Sequence, residues 1–564
     1  MARPLLFLQS LGPAETACEL RWPPDIGAGV EMGMDDHTFR VEGSGSSSRL
    51  LFAPCFNVAS YFIDRHVPQG RGDKVAILSD GGGSVTYAQL AQGVNRCGQA
   101  LRELGLGRGD RVLMMIKDAP EFFYVFWGAV KAGIVPVPIN TILRAKDYKF
   151  MLEDSGCGAV VYSPEFAGEV ETALAQASPA PPHALRTEGQ GITLASLMAQ
   201  ASDQLDLCPT SPTEECFWLY SSGSTGTPKG TVHCHRDMVV TSQFFAQGLL
   251  NVGPEDVFFS AAKLFFAYGL GNGMYFPLWA GATAVLSAQR PTPDSTFGVI
   301  EKFRPSLYFG VPTLYAAQLA ALENGKRDLS SVRACVSAGE ALPADILRRW
   351  VENTGLEILD GIGSTEVLHI FICNRQGQAL PGSSGRMVEG YQARVVDNQG
   401  QDVEDGSAGR LWVRGDSTAK YYWNNPAKTA STMLPEGWLD TGDTYYRDAE
   451  GFFYYCGRND DMLKVGGIWC SPFEIEAKVI EHPQVLEAAV VGQSDENGLV
   501  KPAAYVVLKN AAEACDGLRQ ELLRLCKGGL APYKYPRWIT FVEELPKTAT
   551  GKIQRFRLRQ QPQA

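Results

Sequence analysis

The chain lacks any apolar run of the length that a membrane-spanning helix requires. Its first eight residues hold only a short apolar stretch, interrupted by Pro4, which is too short for a secretory signal. A basic charge balance is also lacking, since 51 Lys and Arg residues stand against 62 Asp and Glu residues. A general nucleic-acid binder needs a basic face to neutralise phosphates. We therefore expect a cytoplasmic protein with neither a nucleic-acid partner nor a membrane partner.

No C-x-x-C pair occurs, and the 13 cysteines are scattered and odd in number. This usage is typical of reduced thiols rather than of a disulfide framework. His233, Cys234 and His235 could suggest a metal site, but neighbours on one strand point to opposite faces and no second ligand pair follows at metal-like spacing. We interpret this segment as a strand after a loop.

Two enzyme motifs are missing as well. The chain has no G-x-S-x-G hydrolase elbow. Its glycine clusters at 269–273 and 361–363 do not complete a G-x-G-x-x-G in a strand–turn–helix frame. These absences argue against a hydrolase of that class and against a nicotinamide dehydrogenase.

Short apolar runs alternate with segments of helical spacing along the N-terminal part of the chain. The runs at 74–79, 110–116, 134–138 and 159–162 predict strands, and the segments at 87–104 and 121–131 predict helices. A similar alternation recurs through 255–365. Strands that alternate with helices predict βαβ units and parallel sheets covered by helices, so the predicted fold class is α/β.

The pattern changes after about residue 456. Ser471, Pro472 and Glu474 form a capping box with proline at the first helical position, which predicts a helix to about Glu481. The runs at 486–491 and 503–508 predict strands, and 518–526 predicts a helix. We therefore predict a small α+β domain over 457–564, after a large N-terminal domain over 56–456.

Residues 1–55 differ from the rest of the chain. They contain Pro23-Pro24 and a Gly/Ser run at 43–48, with little periodicity. We interpret them as a flexible extension and expect a chain that begins near Phe56 to fold and to keep its activity. A competing possibility is that the apolar segment 50–56 docks as a strand, which Pro54 would limit to an edge or an end.

The segment Tyr-Ser-Ser-Gly-Ser-Thr-Gly-Thr-Pro-Lys-Gly at 220–230 is crowded with glycines and hydroxyl residues. Such a loop exposes backbone N–H groups and hydroxyls that can hold phosphate oxygens, and Lys229 adds a positive charge. The segment does not fit a Walker loop. A flexible surface loop would have a similar composition, but the order of these residues is more specific than their composition.

This segment resembles the phosphate loop of the adenylate-forming superfamily, which includes acyl-CoA synthetases, peptide-synthetase adenylation domains and luciferases. Segments 361–366, 437–443, 457–467 and 546–552 resemble further motifs of the superfamily in the same order. The resemblance covers about residues 56–560. It implies an ATP-dependent ligase that joins a carboxylic acid to AMP and then passes the acyl group to coenzyme A.

The resemblance also implies a role for each matching residue. Lys552 would bridge the acid carboxylate and the α-phosphate, Thr225 would hold the β- and γ-phosphates, and Glu366 would help to hold Mg²⁺. Asp443 would accept hydrogen bonds from the ribose hydroxyls, and Arg458 would support the ribose and phosphate. The other residues expected at ATP are Ser221, Ser222, Gly223, Ser224, Gly226, Thr227, Lys229, Gly339, Glu340, Asp360, Gly361, Ile362 and Thr365.

The C-terminal domain would act as a mobile lid. By resemblance it rotates about a hinge at Asp460 after adenylation, which removes Lys552 from the site. Gly466 and Gly467 would then line the tunnel for coenzyme A, where side chains would block the approach.

The segment 263–269 matches the part of the superfamily that contacts the acid, so Ala267 and Tyr268 should face the substrate. Peptide-synthetase domains carry an aspartate at the position of Ala267 to hold the substrate's amino group, and its absence counts against an α-amino acid. Tyr268 and Phe266 offer flat walls suited to an aryl ring. The expected pocket is completed by Ala338, Gly363, Leu368 and His369.

His369 could be a neutral hydrogen-bond donor or a packed wall. We favour a wall residue with some role in the tolerance for ring substituents.

Segments 263–273 and 359–374 most resemble the benzoate–CoA ligases. Benzoate is therefore the first choice of substrate, with hydroxy-, amino- or fluorobenzoates as relatives. A ligase for short aliphatic or cinnamate-like acids is a second enzyme hypothesis. A non-catalytic nucleotide-binding relative is a third, and it predicts the loss of Lys552, Glu366 or Asp443, which are all present. The expected cofactors are ATP, Mg²⁺ and coenzyme A, in a monomer or homodimer.

Overall fold

The computed structural model of the chain describes residues 34–222, 228–323, 325–459, 461–465, 468–495, 499–547 and 553–559. Over these ranges, no helix has both the length and the apolar character needed to cross a membrane. The α-helices are Ala59–Phe62, Tyr87–Glu103, Pro120–Ala132, Ala145–Ser155, Ala167–Gln176, Leu194–Gln200, His235–Thr241, Ala267–Leu270, Phe276–Ala280, Pro293–Phe303, Pro312–Leu322, Ala344–Thr354, Pro426–Thr432, Pro472–Ile480, Asp516–Gly529 and Arg555–Arg559.

A nine-stranded sheet, which we call the central sheet, runs through the N-terminal part. Its parallel strands are, in spatial order, Ile358–Gly363, Ala334–Ser337, Leu307–Gly310, Val257–Ser260, Thr283–Leu286 and Val75–Ser79. Antiparallel strands close both edges: Ile370–Cys373 and Arg386–Met387 at one, and Ser84–Thr86 at the other.

A second sheet is parallel throughout, with the spatial order Val135–Pro138, Arg111–Met115, Ala159–Tyr162 and His183–Arg186. Several inner strands of the two sheets are short apolar runs buried along their whole length, as in Leu307–Gly310 and Ala159–Tyr162. Complete burial is expected of parallel strands that helices cover on both faces. The predicted α/β fold class is confirmed.

Antiparallel sheets complete the N-terminal part. One contains Tyr421–Tyr422, Pro228–Cys234 and Glu215–Ser222, and another contains Gln392–Val396, Gly409–Arg414, Leu439–Arg447 and Phe453–Arg458. In the C-terminal part, Leu463–Val465 pairs with Ile468–Cys470, and a further sheet has the order Val485–Ser494, Val500–Leu508 and Trp538–Phe541. Mixed sheets and helices here agree with the α+β pattern read from the sequence.

The helix predicted after Ser471 begins as expected but only half of the capping box forms. Ser471 Oγ accepts a hydrogen bond from the backbone N–H of Glu474 at 3.2 Å. The Glu474 carboxylate instead accepts hydrogen bonds from Lys534 at 2.6 and 2.7 Å. The Glu474 carboxylate therefore pairs with the charged Lys534 and does not complete the capping box.

The prediction of a flexible extension is wrong for residues 34–55. Phe39–Glu42 and Arg49–Phe52 form an antiparallel pair, which we call the N-terminal hairpin. Leu50 and Ala53 are buried, and the ring of Phe52 lies 4.9 Å from that of Phe56. The Gly/Ser run that suggested flexibility forms the turn between the two strands, with positive φ at Gly43 and Gly45. Residues 1–33 lie outside the described residues.

We expect removal of residues 1–33 and removal of residues 1–55 to have different effects on thermal stability. A chain that begins at Met34 keeps the N-terminal hairpin and should melt at the temperature of the full chain. A chain that begins at Phe56 loses buried apolar side chains, each worth about 1.5–3 kcal/mol when fully buried, and should melt several degrees lower. Thermal melting followed by circular dichroism measures both, and equal melting temperatures for the two truncated chains would contradict this account.

Candidate functional site

The carboxyl ends of three neighbouring strands of the central sheet mark the candidate site. Leu307–Gly310, Ala334–Ser337 and Ile358–Gly363 end at the same edge. The expected site residues Ala338 and Gly339 follow the second of these strands directly, and Gly339 has a φ of +98° that favours glycine. Ligands of open parallel sheets bind beyond the carboxyl ends of the strands.

A partly buried ion pair lies beside this edge, and its two side chains are 16% and 14% exposed. Lys229 Nζ is 3.0 Å from Glu366 Oε1, and Tyr422 donates a 2.7 Å hydrogen bond to the same oxygen. Lys229 also donates to the Tyr422 hydroxyl at 2.8 Å and lies over its ring. Two antiparallel strands, Pro228–Cys234 with Lys229 and Tyr421–Tyr422 with Tyr422, thus both contact the carboxylate of Glu366.

The charge state of Glu366 follows from these partners. Burial by itself would raise the pKa of this carboxyl. The charge of Lys229 and the hydrogen bonds from Tyr422 and Lys229 outweigh burial and lower the pKa to about 2. Glu366 is therefore ionised at neutral pH.

The backbone around Glu366 is fixed from several sides. His233 Nε2 donates to the carbonyl of Thr365 at 2.8 Å, and Ser417 Oγ donates to that of Val367 at 2.8 Å. Leu368 has φ +72°, which is uncommon for a residue with a branched side chain and occurs where surrounding contacts over-determine the backbone. This bend turns the chain from the ion pair towards His369.

The His233 ring is part of this framework rather than of a metal site. Its Nδ1 lies 2.8 Å from Asp237 Oδ2, so both ring nitrogens have protein partners. Among the described residues, no three His, Cys, Asp or Glu side chains form a cluster that could hold a metal ion. The interpretation of 233–235 as a strand after a loop holds for the first two residues, which end the strand Pro228–Cys234, and not for His235, which begins a helix.

Asp443 and Arg458 face each other across two antiparallel strands. They are direct register partners, and Arg458 Nη1 donates to Asp443 Oδ1 at 3.0 Å. The carboxylate raises the pKa of Arg458 above its ordinary value. Gly442 has φ +74°, and a Cβ there would lie 2.8 Å from Arg458 Nη2, so only glycine admits this approach.

A buried carboxyl lies near the same pair. Asp360 is buried on strand Ile358–Gly363, and burial raises its pKa to about 8. Its Oδ1 has no hydrogen-bond partner in the described ranges. The pKa of the buried Tyr445 is raised by burial and by the charges of Asp443 and Asp360, which places both carboxyls around one side chain.

The residues expected at the acid form an aromatic enclosure. Tyr268 donates hydrogen bonds to the carbonyls of Val336 and Gly310 at 3.1 and 3.2 Å, which ties it to two strand ends. The His369 ring lies 5.7 Å from the ring of Tyr268, 4.9 Å from Phe245 and 4.6 Å from Phe276. Ala267 begins the helical segment that carries Tyr268.

His369 is buried among these rings, and an interaction with the backbone of Tyr268 opposes the effect of burial on its pKa without reversing it. Neither ring nitrogen has a hydrogen-bond partner among the residues that the structure describes. Burial lowers its pKa to about 3, so the imidazole is neutral. A Cβ at Gly271 would lie 2.7 Å from His369 Cδ2, so this glycine lets the helix approach the ring closely.

Several predicted site residues lie outside the described residues, so their placement stays a prediction. These are Gly223, Ser224, Thr225, Gly226, Thr227, Asp460, Gly466, Gly467 and Lys552, together with the side chain of Ser222. Ser221, at the near end of the phosphate segment, has a buried Oγ with no partner in the described part of the chain. Glu340, Gly361, Ile362 and Gly363 lie on or beside the strand ends, and Phe266 immediately precedes the helix of Ala267.

Three side chains of the site were missed from the sequence. Tyr422 binds both members of the ion pair, and Phe245 and Phe276 form walls around His369. Tyr422 lies in a run of aromatic residues, and nothing in the sequence separates it from its neighbours as a site residue. The two phenylalanines lie in apolar segments that are typical of any protein core. Only the fold brings them to the site.

The ion pair makes a stability prediction. Removing one partner of a fully buried pair leaves an uncompensated charge and costs about 3–5 kcal/mol. This pair is partly exposed, so Lys229→Met should lower the melting temperature by less than that full cost implies, but still measurably. Adding Glu366→Gln to Lys229→Met removes the carboxylate charge that has lost its partner. The double variant should therefore recover much of the lost melting temperature. A double-mutant cycle on thermal melting measures this coupling, and additive losses would show that the two groups do not stabilise one another.

Comparison with known proteins agrees with this geometry. The model of the AMP-binding enzyme family matches residues 64–423, and that of the AMP-binding enzyme C-terminal domain matches 474–552. The chain is 51% identical to a benzoate–CoA ligase of Thauera aromatica over 89% of this chain and 96% of that protein. It is 44% identical to a 4-hydroxybenzoate–CoA/benzoate–CoA ligase of Rhodopseudomonas palustris, over 90% of this chain and 94% of that one.

A solved structure gives the same result. The anthranilate CoA ligase AuaEII in complex with anthranoyl-AMP superimposes with a TM-score of 0.86 at 39% identity, covering 90% of this chain and 97% of that chain. A family model that matches well over half of the chain, and relatives this similar over nearly their whole length, confirm the resemblance to adenylate-forming enzymes. The chain belongs to the AMP-binding enzyme family.

Proposed function

We propose that the chain is an AMP-forming aryl acid–CoA ligase whose preferred substrate is benzoate. The observation that carries this proposal is the segment around Leu368. It places the ionised Glu366, at a position suited to the metal and phosphates of ATP, three residues from His369 and its aromatic enclosure. A polyanion site and a flat apolar acid site thus adjoin each other at the strand ends.

The reaction has two steps. In the first, a carboxylate oxygen attacks the α-phosphorus of ATP, a C–O–P linkage forms, and diphosphate leaves. In the second, the thiol of coenzyme A attacks the acyl carbon, loses its proton, and expels AMP. The first barrier is electrostatic because an anion approaches a polyanion, so positive charge and positioning supply the catalysis.

The described residues support the binding of ATP. Asp443, paired with Arg458, offers a carboxylate for the ribose hydroxyls, as the resemblance implies. The unpartnered Oδ1 of Asp360 would accept a hydrogen bond from the nucleotide, and the unpartnered hydroxyl of Ser221 would donate one to a phosphate oxygen. Lys229 would add positive charge at the phosphates.

Magnesium fits the observed state of Glu366. Mg²⁺ prefers oxygen ligands and is held by one or two carboxylates plus substrate phosphates. Glu366 is an ionised carboxylate that receives hydrogen bonds from Lys229 and Tyr422 at Oε1, and it would hold the metal together with the phosphates of ATP. When bound, the metal would neutralise phosphate charge.

The C-terminal residues keep the roles that the resemblance implies. Lys552 would offset the repulsion between carboxylate and α-phosphate, and rotation about Asp460 would then bring Gly466 and Gly467 to the coenzyme A tunnel. We place the reaction in the cytoplasm, since the described cysteines are all free thiols, as a reducing compartment maintains them.

One observation favours a second candidate substrate class. A buried polar group without a partner costs about 1–3 kcal/mol, so a ring nitrogen of His369 that lacks a hydrogen bond would be satisfied by a polar ligand atom or a bound water. A hydroxyl or amino group on the benzoate ring would satisfy such a nitrogen. The relatives include ligases named for hydroxybenzoate and anthranilate.

A panel of acids tests the function. The purified chain with ATP, Mg²⁺ and coenzyme A should release AMP and form the aryl thioester with benzoate far faster than with cinnamate, butyrate or phenylalanine. Hydroxy- and aminobenzoates should fall between these groups. Preference for an aliphatic acid or an α-amino acid would refute the proposal.

Lys552→Ala should separate the two half-reactions. We expect acid-dependent diphosphate release to fall by about 10²-fold or more, because the positive charge that offsets carboxylate–phosphate repulsion is lost. Conversion of supplied benzoyl-AMP and coenzyme A to benzoyl-CoA should be little changed. Equal losses in both reactions would show that Lys552 has a different role.

His369→Leu should change the discrimination between substituted acids. Loss of a hydrogen bond worth about 1–1.5 kcal/mol should lower kcat/KM for one positional isomer of hydroxybenzoate about tenfold relative to benzoate. His369→Asn keeps a donor and should lose less. Tyr275→Phe is the matched control, since that hydroxyl already has Thr241 as a partner at 3.3 Å. If every acid changes by the same factor, His369 is only a wall.

A further inference from the structure

The N-terminal hairpin contacts the two aromatic walls around His369 by separate routes. The first route starts from its first strand. The ring of Phe39 stacks at 5.9 Å on Trp279 and lies 5.1 Å from Tyr61. Trp279 belongs to the short helix Phe276–Ala280, and Phe276 at its start contacts His369 at 4.6 Å.

The second route starts from the hairpin turn. Ser48 Oγ donates to Glu389 Oε1 at 2.5 Å, and the backbone N–H of Gly45 donates to the same oxygen at 3.2 Å. Gly390 N–H donates in return to the carbonyl of Gly45 at 3.2 Å. The hairpin turn therefore holds the Glu389–Gly390 turn through three hydrogen bonds.

The Glu389–Gly390 turn lies close to Phe244, which precedes the wall residue Phe245. Gly390 has φ +80°, and a Cβ there would lie 2.5 Å from the ring of Phe244. The next residue, Phe245, contacts the His369 ring at 4.9 Å and that of Phe276 at 5.8 Å. The two routes thus end on neighbouring faces of one enclosure.

We propose that the N-terminal hairpin is a clamp that fixes the width of the acid pocket by holding the Phe245 and Phe276 walls in place, with Phe39 and Glu389 as positioning residues. The inference rests on the proposed function, because the enclosure around His369 is taken as the acid site. It assigns a substrate-selecting role to a segment that the sequence marks as dispensable.

The physical reason lies in the elements that carry the walls. Phe245 stands in the π-helical turn Ser242–Gln247, and Phe276 follows the π-helical turn Gly271–Tyr275. Such turns are rare, occur frequently at functional sites and interrupt the regular hydrogen bonding of the helix. The positions of the Phe245 and Phe276 rings therefore depend on the residues that pack against these turns. Small displacements of a bound acid then lower the reaction rate strongly.

Point substitutions in the full chain test the clamp, assayed well below their melting temperatures. Phe39→Ala and Glu389→Ala should each raise the KM for benzoate about five- to tenfold, while the KM for ATP stays within about twofold. Discrimination against a bulkier acid such as 2-naphthoate should relax in the same variants. Phe39→Tyr restores the ring and should restore both values.

Glu42→Gln is the matched control on the same hairpin. Glu42 pairs with Arg40 and Arg49 on the exposed side, away from both walls, so its loss should leave both KM values and the acid preference unchanged. Should Phe39→Ala prevent folding, Glu389→Ala alone decides the matter, because its contacts lie at the surface. KM values for acid and ATP that rise together, or an acid KM that does not move, overturn the clamp. Absence of any aryl acid activity in the unsubstituted chain would instead refute the proposed function.

Discussion

The partly buried carboxylate of Glu366 is the constraint on which the rest of the site depends. An ionised carboxylate in the protein interior is unfavourable unless it is paired and hydrogen-bonded, and Lys229 and Tyr422 provide that pairing from two strands of one antiparallel sheet. The phosphate segment leads directly into the strand of Lys229. The strand that follows the phosphate segment, the carboxylate and its aromatic partner are therefore held together.

The same short segment links the polar and apolar halves of the site. His233 and Ser417 donate hydrogen bonds to the backbone of the segment 365–369. The segment bends at Leu368, which has a positive φ, so that His369 lies among aromatic rings. A strained residue at such a bend persists only where surrounding contacts over-determine it. In the proposed function, the acid and the nucleotide would meet at the carboxyl edge of the central sheet.

Much of this architecture could be predicted from the sequence because it is local. Buried parallel strands are short apolar runs such as Ala159–Tyr162, and they were predicted nearly to the residue. The ordered glycine- and hydroxyl-rich motifs identified the family. The N-terminal hairpin was predicted only in part. The apolar segment 50–56 suggested a docked strand, and the strand Arg49–Phe52 overlaps it. The rest was missed because the Gly/Ser turn has the composition of a linker and the hairpin is held by long-range contacts with Trp279 and Glu389. Tyr422, Phe245 and Phe276 were missed for the same reason, since only the fold gives them their neighbours.

The most direct test of the account is the exchange of labelled diphosphate into ATP, measured without coenzyme A. This exchange reports reversible formation of an acyl-adenylate and nothing that follows it. We predict exchange that depends on both benzoate and Mg²⁺, and its loss in the Glu366→Gln variant under conditions where that variant remains folded. Benzoate-independent exchange, or full exchange in the folded Glu366→Gln variant, would contradict the central claim that this partly buried carboxylate organises aryl acid activation.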